Sequence, residues 1–164
     1  MIITKALRND ITALDNSEVD VLSIEWFQTQ KRIQRLRTAS GREVAIKFMD
    51  KGQELRHGDV LVDDETGMVV VRVLPCDSIV VQFDDLLNLG LVAYEVGNKH
   101  LALFVKENKL LMPFERPIYL WLQQQGYAPS VQSEVLLHKL NANVDPSHNK
   151  RFSFQMSKTI MSIK

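Results

Sequence analysis

The chain has 164 residues, 45% hydrophobic and 24% charged, with a formal net charge of zero. That suits a soluble protein of one domain or two small ones and argues against a nucleic-acid binder that relies on bulk positive charge. The single cysteine, Cys76, cannot close an intramolecular disulfide, and neither a signal-peptide pattern nor a membrane-length apolar run of ~18 residues occurs, so a cytoplasmic location away from membranes is expected.

Residues 1–74 alternate short apolar runs with turn signals. VDVLSIEWF is rich in β-branched and aromatic residues and reads as a strand. RIQRLRT follows, with a turn at Gly41, and then REVAIKF, in which Val44, Ile46 and Phe48 alternate as on a half-buried strand. GDVLV and MVVVRVL, joined by DDETG, predict a hairpin. Short strands at this spacing predict a small all-β domain over residues 1–75. Lys31, Arg32, Arg35 and Arg37 crowd one strand. They read either as a solvated face or as a docking surface for an acidic partner.

At Pro75 the pattern changes, because proline cannot donate to a sheet ladder. DSIVVQF predicts a strand. DDLLNLGLVAYEVGN predicts a helix capped at Asp84 or Asp85, with Leu86, Leu89, Ala93 and Val96 on its apolar face and Gly97-Asn98 as its stop. HLALFVK and KLLMPF predict strands around the turn EN. ERPIYLWLQQQGY predicts a second helix ended by Gly126, and SVQSEVLLHKL a closing strand. The order βαββαβ is the split βαβ, or ferredoxin-like, arrangement, here over residues 76–144. The fold expected is therefore mixed α and β, with residues 145–164 as a flexible tail.

The chain carries no phosphate-binding P-loop, no G-x-S-x-G elbow, no H-E-x-x-H and no C-x-x-C. Cys76 reads as a small buried apolar residue. Among the histidines, His57 reads as a solvated turn residue, His138 as part of the last strand, and His148 as a tail residue free to swing onto a nearby site. His100 follows the helix stop and opens the next strand. It reads as a helix C-terminal histidine favoured by the dipole and bonded to a carbonyl, or as a ligand. One imidazole holds a divalent metal weakly, but two-fold symmetry would place two copies at one axis. Imidazole nitrogen suits nickel, copper and zinc.

The stretches EWFQTQKRIQRLRTASGREVAI, LRHGDVL, YEVGNKHLALFV and PFERPIYLWLQQQGY resemble the UreE family of urease accessory proteins over about residues 1–144. The most specific piece is the motif Gly97-Asn98-Lys99-His100. The resemblance implies an N-terminal β domain of partner- or peptide-binding type, a C-terminal ferredoxin-like metal-binding domain, a homodimer, and no enzymatic activity. It implies that His100 pairs across the dimer to bind Ni²⁺, with Zn²⁺ or Cu²⁺ able to substitute. It implies delivery to the urease apoprotein complex alongside an accessory GTPase. Two departures are visible. Ala102 stands where many members have proline, and the tail holds only His148 where many are histidine-rich. One metal per dimer is expected, with His148 as the added ligand and His138 a weaker candidate. An RNA reader is disfavoured, because the predicted central strands offer only Phe83 and Phe104 for stacking. The alternative is a protein-interaction adaptor in which His100 is structural and the β domain captures an extended partner strand.

Overall fold

Alternating apolar residues in the first half build two small sheets, seen in a computed structural model that describes residues 1–50 and 52–140. Strands β1 (Ile2–Ile3), β2 (Arg8–Asn9), β3 (Asp20–Ile24), β4 (Ile33–Arg37), β5 (Glu43–Lys47), β6 (Asp59–Asp64) and β7 (Gly67–Val73) divide between them. One sheet has the order β1-β5-β4, the other β2-β6-β7-β3. Ile3, Val44 and Ile46 from the first sheet share a core with Leu22, Ile24, Val69, Val71 and Val73 from the second. Burying each of these side chains contributes roughly 1.5–3 kcal/mol before the entropy of ordering is subtracted. The expected β6–β7 hairpin forms, with Asp64 opposite Gly67.

The strand foreseen in VDVLSIEWF stops at Ile24, and a 3-10 turn at Trp26–Gln28 follows. A second 3-10 turn, Ile11–Asp15, lies against the outer face of the second sheet, where Arg72 donates to the Leu14 carbonyl at 3.3 Å. Gly58 makes that approach possible: at φ 83°, a Cβ there would lie 2.7 Å from the Ile11 side chain.

The second half contains β8 (Cys76–Gln82), α1 (Leu86–Asn98), β9 (Phe104–Lys106), β10 (Lys109–Pro113), α2 (Arg116–Gln124) and β11 (Ser130–Glu134). The strands run antiparallel in the order β11-β8-β10-β9. Both helices pack on one face, where Val92, Val96, Ile118 and Leu122 meet Ile79, Val81, Leu110 and Met112. Element order, pairing and layering are those of the split βαβ arrangement foreseen above. On the opposite face Val80, Phe104, Leu111 and Leu136 receive Trp26 from the first half. Trp26 and Phe104 meet edge to face, with ring centroids 5.7 Å apart.

Four local expectations are corrected. Leu86 is 86% exposed, and Val92 joins Leu89, Ala93 and Val96 on the buried side of α1. The helix is apolar on two faces, and only one can meet the sheet. Gly97 and Asn98 do not stop α1 but complete it. The strand after it starts at Phe104, four residues beyond His100. The last strand ends at Glu134, so His138 lies outside it, in a bend at φ 60°. The tail expected at 145–164, with His148, falls outside the described residues.

Candidate metal centre

The placement of His100 begins at the start of α1. The Asp85 carboxylate caps the helix, accepting the Asn88 N–H at 2.8 Å. That bond is the main reason its carboxyl is held below the ordinary carboxylate range. Thirteen residues later the helix closes with two bonds, His100 N–H to Gly97 C=O at 2.9 Å and Leu101 N–H to Val96 C=O at 3.4 Å. This is the Schellman pattern. It needs a left-handed residue after the helix, and His100 supplies it at φ 56°. Leu101 then folds back onto the core beside Val96, as this motif favours.

The conformation turns the His100 side chain out of the fold. The residue is exposed, and among the described residues its ring finds no hydrogen-bonding partner. The carbonyl bond that would make it a purely structural histidine is absent among those residues. His100 borders a groove of about 290 Å³ shared with Trp26, Ala102, Glu115, Ile118 and Lys139.

The other described histidines are elsewhere. His57 is half-buried, not solvated as expected, and its Nδ1 accepts the Val73 N–H at 3.1 Å. A neutral ring therefore carries its proton on Nε2. Burial, and then the nearby Arg72 charge, push its pKa down. His138 is exposed and borders another cleft, of about 260 Å³, which His57 also lines. It is the neighbouring Lys139 that reaches the His100 groove. Cys76 is half-buried, and desolvation pushes its thiol pKa up, which disfavours the thiolate a metal needs. Among the described residues no three His, Cys, Asp or Glu side chains gather where they could hold a metal ion. Among the described residues His100 is thus an exposed imidazole that belongs to no cluster of three such side chains.

Beside it lies a second apolar face of α1, not among the expectations drawn above from Leu86, Leu89, Ala93 and Val96. The outward face of α1 exposes Leu87 at 72%, Leu91 at 51% and Tyr94 at 67%. Their spacing of four and three residues puts them on one stripe, and that second period was visible in the sequence. Gly90 and Gly97 lie beside the stripe, and a Cβ at either would meet nothing within 4 Å among the described residues. Each costs the helix about 1 kcal/mol relative to alanine. No helix among the described residues is long and apolar enough to cross a membrane.

Comparison with known proteins places this geometry. Residues 3–74 match the family described as UreE urease accessory protein, N-terminal domain. A urease accessory protein UreE of Flavobacterium johnsoniae is 45% identical over 154 residues, covering 94% of this chain and 91% of the relative. One from Acetivibrio thermocellus is 36% identical, covering 88% of this chain and 94% of its own length. One from Helicobacter pylori is 35% identical, covering 87% and 84%. Proteins so named serve urease and are not themselves the enzyme, as expected for this chain. With its β-rich first half, its α/β second half and this similarity along nearly its whole length, the chain belongs to the UreE family of urease accessory proteins.

Proposed function

We propose that the chain is a nickel carrier for urease maturation that holds its cargo between two copies of itself. The observation that carries this reading is the position of His100, a free imidazole at the end of a helix whose outward stripe is apolar and uncovered. A two-fold dimer through α1 buries Leu87, Leu91 and Tyr94 of both chains and brings two His100 rings to one axis. The bare glycines at 90 and 97 admit a second helix closely. Two neutral imidazoles suit Ni²⁺, and Zn²⁺ or Cu²⁺ can take the same place.

His148 is the added ligand in this proposal. It follows Leu140 by eight residues, a reach of up to about 27 Å in extended chain, and Lys139 already borders the His100 groove. Water fills the remaining positions. So few protein ligands favour handing the metal on over keeping it. The partners in this reading are the urease apoprotein complex and an accessory GTPase, met in the cytoplasm. Residues 1–75 serve as the partner-facing β domain, 76–144 as the metal-binding domain and 145–164 as its tail.

A calorimetric Ni²⁺ titration with mass measured in solution tests the reading. One nickel per two chains is expected, lost in His100→Ala while the dimer survives. Alanine carries the same left-handed strain as histidine, so the backbone is a fair control. Unchanged binding in the mutant would overturn the proposal and make His100 structural.

A further inference from the structure

The two halves of the chain meet at a short joint. β7 ends at Val73 and β8 begins at Cys76, so only Leu74 and Pro75 lie between them. Leu74 N–H is bonded to the Ile24 carbonyl of β3 at 2.8 Å. Val73 N–H faces the other way, toward β6. There the ladder has already ended, since its last pair at this end is Val60 with Val70. The His57 ring takes the place of the missing strand carbonyl, and its Nδ1 accepts the Val73 N–H at 3.1 Å. Val73 is buried, so without the ring this N–H would be an unpaired buried donor.

Residues 136–139 brace the same joint. Leu136 packs with Phe104 and Trp26, and Leu137 packs on the core of the first half. Lys139 donates to the Gln30 side-chain oxygen at 3.4 Å. The cleft of about 260 Å³ that His57 lines takes Asn9 and Leu55 from the first half, and Phe104 and Leu136 from the second. His57 thus sits where the two halves touch.

Only the neutral ring can accept at Nδ1. A second proton makes Nδ1 a donor, facing the donor of Val73. The surroundings do not welcome the charge. Arg72 comes from β7, Arg56 from the loop of His57 itself, and His138 and Lys139 from the brace. The carboxylates around the ring are engaged elsewhere. Asp59 accepts the Arg56 N–H at 2.8 Å and the Asn9 amide at 2.9 Å. Glu54 pairs with Arg56 at 3.6 Å, and Asp10 accepts the Thr12 hydroxyl at 2.6 Å.

We infer that His57 is a pH-sensitive latch on the joint. When its ring takes up a proton, the end of β7 is released and the two halves lose their fixed setting. Desolvation, and then the Arg72 charge, hold the ring neutral. The latch is therefore closed above the ordinary histidine value of about 6.5 and opens as pH falls through the lower folded value. It needs neither metal nor a second chain, so its failure would leave the nickel reading standing.

The test is a nuclear magnetic resonance titration of the full chain from about pH 7.5 to about pH 5. Ring nitrogen shifts follow His57, and amide exchange, corrected for its intrinsic pH dependence, follows Val73. Residual dipolar couplings report whether the halves share one orientation. Protection of Val73 should fall about tenfold as the His57 ring titrates, the loss of one hydrogen bond, while Leu22 in β3 keeps its protection. The couplings of the two halves should fit one alignment tensor at the start and two at the end. In His57→Gln, whose side-chain oxygen accepts at every pH, both readouts should stay flat. Unchanged Val73 protection through the ring titration would overturn the inference, as would a single tensor throughout. So would the same loss in His57→Gln. If that variant does not fold, the titration of the unmodified chain decides alone.

Discussion

The two helices lie side by side on one sheet and end in the same way, yet only one of them closes on a residue other than glycine. α2 closes with Gly126 N–H to Gln123 C=O at 3.0 Å and Tyr127 N–H to Leu122 C=O at 3.1 Å. That is the pattern that closes α1, and Gly126 sits at φ 84° where α1 has His100 at φ 56°. Glycine occupies a left-handed position without steric penalty, whereas histidine there costs about 1–2 kcal/mol. The outward faces differ too. α1 exposes Leu87, Leu91 and Tyr94 together, and α2 exposes Arg116, Gln123 and Gln124 around one apolar residue, Leu120. α1 carries a less favourable stop and a more apolar surface together, and in the proposed dimer both serve the second chain.

The sharpest way to break the comparison is to make the two ends alike. His100→Gly should abolish the shared nickel site in calorimetry. It should also raise denaturant stability by about 0.5–1 kcal/mol, the left-handed strain relieved less the entropy glycine adds to the unfolded chain. A variant that loses metal only because it unfolds would show the opposite sign. Next comes the face. Tyr94→Glu should dissociate the dimer in sedimentation while the chain stays folded by circular dichroism, and Gln124→Glu on α2 should change neither. Gly126→Ala should lower stability by about 1–2 kcal/mol and leave nickel stoichiometry alone.

The helix starts offer a smaller contrast. α1 is capped by the Asp85 carboxylate, and Glu115 at the start of α2 makes no side-chain cap bond. Asp85→Ala should lower the thermal midpoint, and Glu115→Ala should leave it in place. Because the folded pKa of Asp85 is depressed, its contribution is fully present above the ordinary value of about 3.9 and is lost as pH falls through the lower folded value. His57 obeys the same sign for a different reason. Its folded pKa is depressed by burial, so its contribution is present above about 6.5 and lost on further acidification. His57→Gln should flatten stability against pH just below that value, measured by urea unfolding at several pH values.

Sequence periodicity was enough for most of the fold. The alternation of Val44, Ile46 and Phe48, the β6–β7 hairpin and the βαββαβ order all follow from residue type and spacing. Two of the misses share one cause. HLALFVK and SVQSEVLLHKL are apolar enough for full strands, but the chain must turn at His100 and at His138, and both turns use left-handed non-glycine residues. Such positions carry no glycine to announce them. The motif Gly97-Asn98-Lys99-His100 was legible as a site, yet the glycine drew the helix stop three residues too early. His57 looked like a turn residue because its partner, the Val73 N–H, is sixteen residues away in sequence.

The wedge of Trp26 between the two halves has a practical consequence. Trp26 borders the same groove as His100, and the chain's other tryptophan, Trp121, lies 5.6 Å beneath the ammonium of Lys99, next to His100 in sequence. Both indole chromophores therefore flank the end of α1, one from each side of the sheet. Intrinsic emission can follow an event at that helix end in the unmodified protein, without a dye and without a second spectroscopic handle.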